Sequence, residues 1–188
     1  LDETIILTLA SATNATVQGQ DTHTYTITND DAAPTIDFNA AAASGNEAAT
    51  SFNITVDLSA ASGVDASMRY DVTGTATGGG VDYTLANGTA TISAGATTTT
   101  IAVIVADDGL YENNETIIVT GSNPANATLG SDDVHTYTIT NVSGNDDKPT
   151  IDFNTTTASY AEGSGTPTAT VDLSAASGLS SSINYTVA

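Results

Sequence analysis

The sequence has no cysteine and no tryptophan, and it sets only two basic side chains, Arg69 and Lys148, against 22 acidic ones. Without cysteine there are no disulfides, no thiolate metal sites and no cysteine nucleophile. With two cations and a formal net charge of -20, the chain has no surface with which to neutralise phosphates, which excludes nucleic acid and anionic lipid as partners. Long apolar runs are also missing: nothing approaches the roughly 18 consecutive apolar residues of a membrane-spanning helix, so no membrane insertion is expected in this segment. Leu1-Asp2-Glu3-Thr4 reads as the edge of a strand and not as a charged-then-apolar leader. If the protein is secreted, its signal is expected to lie further upstream or to have been removed.

In place of the missing residues stand Ala, Ser, Gly, Asn and 35 threonines. Threonine is β-branched and favours pleated strands, and there is little Lys, Arg or Gln from which to build exposed helices. The composition therefore predicts an all-β chain. Its 188 residues are enough for one or two domains with a proper core.

The chain also repeats itself. Pro34-Thr35-Ile36-Asp37-Phe38-Asn39 returns at 149–154 and Val56-Asp57-Leu58-Ser59-Ala60-Ala61-Ser62-Gly63 returns at 171–178, both displaced by 115 positions. His23-Thr24-Tyr25-Thr26-Ile27-Thr28-Asn29 returns at 135–141 and Glu3-Thr4-Ile5-Ile6 at 115–118, both displaced by 112. The three extra residues fall in the joint at 141–149, so the repeating unit is a whole domain. The offsets divide the chain into the end of one repeat (1–31), one complete repeat (34–147) and the beginning of a further one (149–188), as expected of a window on a longer tandem array.

Within the complete repeat the apolar period is two. Phe52, Ile54, Val56 and Leu58 alternate with polar residues, as do Met68, Tyr70 and Val72, then Ile101, Val103 and Val105, then Ile117 and Val119, and finally His135, Tyr137 and Ile139. That is the pattern of half-buried strands. Turn chemistry separates them at Ser62-Gly63, Gly78-Gly79-Gly80, Asn87-Gly88, Ala94-Gly95 and Asp108-Gly109. About seven short strands over such a length predict a two-sheet, immunoglobulin-like β-sandwich, with no helix longer than a turn.

Acidic residues cluster at particular points in this pattern: Asp82-Tyr83 before a strand, Asp107-Asp108-Gly109-Leu110-Tyr111-Glu112-Asn113-Asn114-Glu115 in a loop, and Asp146-Asp147 after the last strand, with Asp30-Asp31 at the preceding joint. Together with Leu129-Gly130, their order and spacing resemble the Calx-beta domain, in tandem repeats of the kind found in bacterial extracellular surface proteins. The resemblance covers the complete repeat and both partial ones. It implies calcium, with Glu47, Asp82, Asp107, Asp108, Glu112, Asp146, Asp147, Asp30 and Asp31 as the matching ligand positions. The chemistry agrees, because calcium takes six to eight hard oxygen ligands from flexible loops. Carboxylates crowded together without a cation repel one another. The sequence departs from the family pattern at two places: Asn145 precedes only two acids, and Ala48 follows Glu47 where a glycine is common.

Other candidate sites are weaker. His23 and His135 occupy one position in two copies of the same strand, which suits a structural role better than a catalytic one. A carboxylate pair such as Asp107 and Glu112 could in principle split a glycosidic bond, but no tryptophan and few aromatics are available to line a sugar cleft. Lys148 lies in the joint and not in a core strand, so an isopeptide bond is not expected. Asn-x-Ser/Thr triplets occur eight times, and Asn14, Asn53, Asn87 and Asn126 are the candidate glycosylation sites by position. The resulting expectation is a non-enzymatic structural segment of an extracellular or cell-surface protein, a stalk, adhesin or filament, partnered end to end by neighbouring repeats or copies of itself. The alternatives are a calcium-responsive regulatory module and, behind it, a carbohydrate-binding accessory domain.

Overall fold

The computed structural model describes residues 2–144 and 146–188, and the chain forms two compact units, Leu1–Ala33 and Pro34–Ala188. The first unit is an antiparallel hairpin. Strands β1 (Glu3–Thr8) and β2 (Thr22–Ile27) pair from Glu3 opposite Ile27 to Thr8 opposite Thr22. Ile5, Leu7, Tyr25 and Ile27 share one face of this hairpin and all are exposed.

The second unit contains two five-stranded sheets. One has the order β4 (Ala42–Asn46), β12 (Val134–Thr140), β10 (Glu115–Ala125), β6 (Ala66–Gly74), β8 (Gly88–Ile92). The other runs β11 (Thr128–Leu129), β3 (Thr35–Phe38), β5 (Ser51–Leu58), β9 (Thr98–Val105), β7 (Tyr83–Thr84). Pairing is antiparallel except at two edges, where β4 joins β12 and β11 joins β3 in parallel. The alternating apolar residues of the two sheets make a single core. Ile36, Phe38, Ile54 and Val56 from one sheet and Met68, Ile92, Ile117 and Val119 from the other are all fully buried. Each such side chain contributes roughly 1.5–3 kcal/mol relative to exposure. Where β10 runs antiparallel beside β6, Gly121 leaves room for a core side chain: a Cβ there would lie 2.3 Å from the Met68 sulfur.

The all-β expectation holds, and among the described residues the one helical element is a three-residue 3-10 turn, Glu47–Ala49. The sandwich has more strands than the apolar alternation suggests. The additional short strands β4, β7 and β11 all lie at sheet edges, where a strand needs backbone pairing but no buried side-chain row. Residues beyond the sandwich form a further hairpin, β13 (Ile151–Phe153) with β14 (Val171–Leu173).

The sequence repeats carry strand register with them. Ile5 faces Tyr25 as Ile117 faces Tyr137, and Leu7 faces His23 as Val119 faces His135. Likewise Ile151 faces Leu173 as Ile36 faces Leu58. Even the supporting hydrogen bonds recur: Ser59 Oγ accepts from Thr35 N and Ser174 Oγ from Thr150 N, both at 2.9 Å. What differs is burial, since Ile117 is fully enclosed while Ile5 is 50% exposed. Ile117→Ala is therefore expected to cost about 2–5 kcal/mol in urea unfolding, and Ile5→Ala well under half of that. Equal effects would mean that the hairpin face is as enclosed as the core.

Candidate metal centre

The end of β9 organises one tip of the sandwich. Val105 N donates to Thr50 O at 3.0 Å, which ties β9 to the turn carrying Glu47. Thr50 closes that turn in the left-handed region, φ 46°, with its N donating to Glu47 O at 3.2 Å. The next residue, Ala106, donates to Asp82 O at 2.8 Å, and Asp82 in turn accepts from Thr77 N through its carboxylate. Asp107 and Asp108 follow at once. The backbone thus delivers Glu47, Asp82, Asp107 and Asp108 to one place from three separate stretches of chain.

The last strand supplies the rest. Asn141, just past β12, clamps the loop: its Nδ2 donates to Glu112 O at 2.7 Å and its Oδ1 accepts from Glu112 N at 3.2 Å. The chain then turns back, with Asp146 N donating to Val142 O at 2.9 Å and Val142 N donating to Asp146 Oδ2 at 2.6 Å. This leaves Asp146, only 2% exposed, with its Oδ1 buried and without a hydrogen-bond partner.

Two acidic groups result. Glu47, Asp107 and Asp146 each bring a carboxylate oxygen within 4.8 Å of the other two, and Asp82, Glu112 and Glu115 do the same. Burial, and then the charges of Asp146, Asp108, Glu112 and Asp107, push the Glu47 carboxyl up to about 7. Burial also leads for Glu115, pushed up to about 7 with help from a hydrogen bond to Asp82 and the charges of Asp82 and Glu112. Glu112 is raised by burial and by Asp108, Asp82 and Asp146. Because Glu47 and Glu112 each feel acids from both groups, the two groups are electrostatically one site. Every charge that shifts these carboxyls is negative.

Of the residues expected as ligands, Glu47, Asp82, Asp107, Glu112 and Asp146 stand in these groups. Asp108 borders them: its Oδ1 caps the loop by accepting from Leu110 N at 2.9 Å. Asp147 is exposed, accepts from Gly144 N at 3.1 Å and belongs to neither group. Asp30 and Asp31 are exposed members of the first unit and also belong to neither. Two contributors were not singled out from sequence. Glu115 ends the acidic motif but also begins β10, which reads as a strand residue. Asn141 was visible only as the last residue of a repeated strand motif.

The remaining candidates are structural or superficial. His135 is buried, with Nδ1 2.6 Å from Ala40 O and its ring 6.1 Å from that of Phe38. Asn14, Asn53, Asn87 and Asn126 are all exposed. Two of them also hold backbone, since Asn87 Oδ1 accepts from Val72 N and Asn126 Nδ2 donates to Asp65 O, each at 2.8 Å.

A family model of the Calx-beta domain matches residues 29–142. The chain belongs to the Calx-beta domain family. Among solved structures, the Calx-beta fold is shared with the apo form of the Calx CBD1 domain, with a TM-score of 0.53 and 22% identity over 58% of this chain and 97% of that one. The calcium binding domain CBD12 of CALX1.1 has a TM-score of 0.52 and 22% identity, over 56% of this chain and 45% of that one. CBD12 from CALX1.2 also scores 0.52, at 20% identity over 56% of this chain; the match spans 43% of that longer structure. No curated protein sequence matches the chain.

Calx-beta domains bind calcium, and the residues here fit that ion. Ligand oxygens 2.3–2.6 Å from a calcium ion can be at most about 5 Å apart, a limit that both acidic groups meet. The donors are all oxygen, which suits a hard cation. The orphaned Asp146 Oδ1 and the Glu47 carboxyl, raised by burial and by the negative charges around it, fit a site that takes a positive charge.

Proposed function

We propose that this Calx-beta chain is a non-enzymatic structural segment of an extracellular surface protein, a stalk, filament or adhesin, whose acidic tip binds calcium and so stiffens the junction to the next repeat. Glu47, Asp107 and Asp146 would hold one ion, and Asp82, Glu112 and Glu115 a second, with Asp108 between them. The ion supplies charge neutralisation and cross-links three loops. Its natural partners are neighbouring repeats or further copies of the chain arranged end to end. Exposed sequons such as Asn14 and Asn53 and the scarcity of basic residues support an extracellular location.

The observation that carries this reading is where the calcium loop rests. Tyr111 forms a parallel bridge with Ser177, its carbonyl accepting from Gly178 N at 3.1 Å and Ser177 Oγ at 3.2 Å. Gly178 sits so tightly on the loop that a Cβ would fall 2.2 Å from Glu112 Oε1. Ordering Glu112 around an ion therefore also orders the turn after β14. Small-angle scattering is expected to show a narrower distribution of dimensions in calcium than in chelator, and Gly178→Val is expected to abolish that difference. Identical curves with and without calcium would refute the stiffening role. If instead calcium bound without narrowing the distribution, the regulatory-module reading would take precedence.

A further inference from the structure

An uncharged side chain anchors the calcium loop to the end of the last strand of the sandwich. Glu112 lies on the loop between β9 and β10, and Asn141, half-buried just past β12, meets its backbone with both ends of one amide. Nδ2 donates to Glu112 O at 2.7 Å and Oδ1 accepts from Glu112 N at 3.2 Å. This pairing fixes how the amide is turned, since the opposite orientation would set donor against donor and acceptor against acceptor. It is the exchange of bonds that two antiparallel strands make, formed here between a side chain and a loop. The neighbouring residue acts on the other acidic group, Val142 N donating to Asp146 Oδ2 at 2.6 Å. Consecutive residues at the end of β12 thus hold one member of each group. Asn141 also heads an Asn-Val-Ser triplet, but the nitrogen that a sugar would take is engaged by Glu112 O.

We infer that Asn141 is a positioning residue of the calcium centre, acting through Glu112 and not as a ligand. By fixing both backbone groups of Glu112 it sets where that side chain leaves the loop, and so holds its carboxylate where Asp82 and Glu115 share a cation with it. A loop residue that must be ordered when the ion arrives charges its conformational entropy against binding, and a clamp already formed removes that cost. Partners that orient a metal ligand typically change metal affinity by about 10–100-fold when they are lost. The loop is gripped from its other side by the turn after β14, through Tyr111 O, so Asn141 also stands between that turn and the frame of the sandwich.

This inference rests on the calcium binding proposed above, and calorimetric titration of calcium into four chains tests it: wild type, Asn141→Asp, Glu112→Ala and the double variant. Asn141→Asp is isosteric and keeps the acceptor for Glu112 N, but it sets a carboxylate oxygen against Glu112 O and adds a negative charge beside the site. Charge alone would tighten calcium, whereas loss of the clamp is expected to weaken it about tenfold. With the Glu112 carboxylate already gone, the same change is expected to weaken calcium no further, because residues that act through one another are not additive. Asn141→Ala, which brings in no repulsion, is expected to repeat the pattern, and melting in chelator shows that each chain is folded. Asn87→Ala removes a comparable bond, from Val72 N at 2.8 Å, and is expected to lower the melting temperature while leaving calcium affinity alone. Unchanged or tighter binding in both Asn141 variants, or an equal loss with and without the Glu112 carboxylate, would overturn the positioning role and leave calcium binding standing. No heat of binding to the wild-type chain would overturn the calcium reading, and the positioning role with it.

Discussion

Calcium at a hundredfold excess over its dissociation constant should raise the melting temperature of this chain by roughly 10 °C. An ion that binds only the folded state adds RT ln(1 + [Ca]/Kd), about 2.7 kcal/mol under that condition, and in a domain of this size each kcal/mol is worth about 4 °C. Asp146→Asn should remove most of the shift. The change keeps an acceptor for Val142 N but takes away the charge of the carboxylate whose other oxygen is orphaned. Asp57→Asn is the matched control. Asp57 accepts from Asn39 Nδ2 at 2.6 Å on the β3–β5 pair and stands in neither acidic group, so its loss should alter stability while leaving the calcium shift intact. Equal melting temperatures in calcium and in chelator would refute the site.

The second large effect is an inversion of the pH dependence. In chelator the chain should lose stability as pH rises from about 5 to 8. Glu47 and Glu115 are held protonated up to about 7 in the folded state, against an unfolded value of 4.5. Between those values the folded chain binds protons that the unfolded chain has released, so stability falls as pH climbs through the window and is fully present below it. For Glu47, which is 7% exposed, the shift corresponds to roughly 3 kcal/mol. Saturating calcium should reverse the slope, because the ion binds the carboxylates and must displace those protons. Glu47→Gln should make the curve in chelator shallower, leaving the share of Glu115, and weaken calcium binding at once. Thermal melts across that pH range check both, and a slope of the same sign with and without calcium would count against a carboxylate-ligated ion.

Much of this was legible in the sequence because it rests on local chemistry. Alternation of Ile54, Val56 and Leu58 with polar residues gives a half-buried strand wherever it occurs, and the 112- and 115-residue offsets carry the β10–β12 and β3–β5 registers to their copies. The acidic loop was equally plain, since Asp107, Asp108 and Glu112 are close in sequence and need little folding to come together. The edge strands were not legible. Ala42–Asn46 has no apolar alternation, and it becomes a strand only because the edge of β12 offers unpaired backbone groups.

Composition, the absence of cysteine and tryptophan, and the period-two pattern determined by themselves that the chain is all-β, acidic and without thiol chemistry. Only the tertiary structure decided which acids meet. Glu47 lies 60 residues from Asp107 and 99 from Asp146, yet they share a site because β9 is hydrogen-bonded to the turn after β4 and the chain folds back after β12. Asp147 has the same chemistry and is the next residue, but its carboxylate turns to Gly144 N and stays outside. Glu115 joins because β10 begins beside Asp82. Strand pairing brings distant backbone segments into fixed register, and carboxylate repulsion, felt only at that close range, turns those neighbours into a site for a cation.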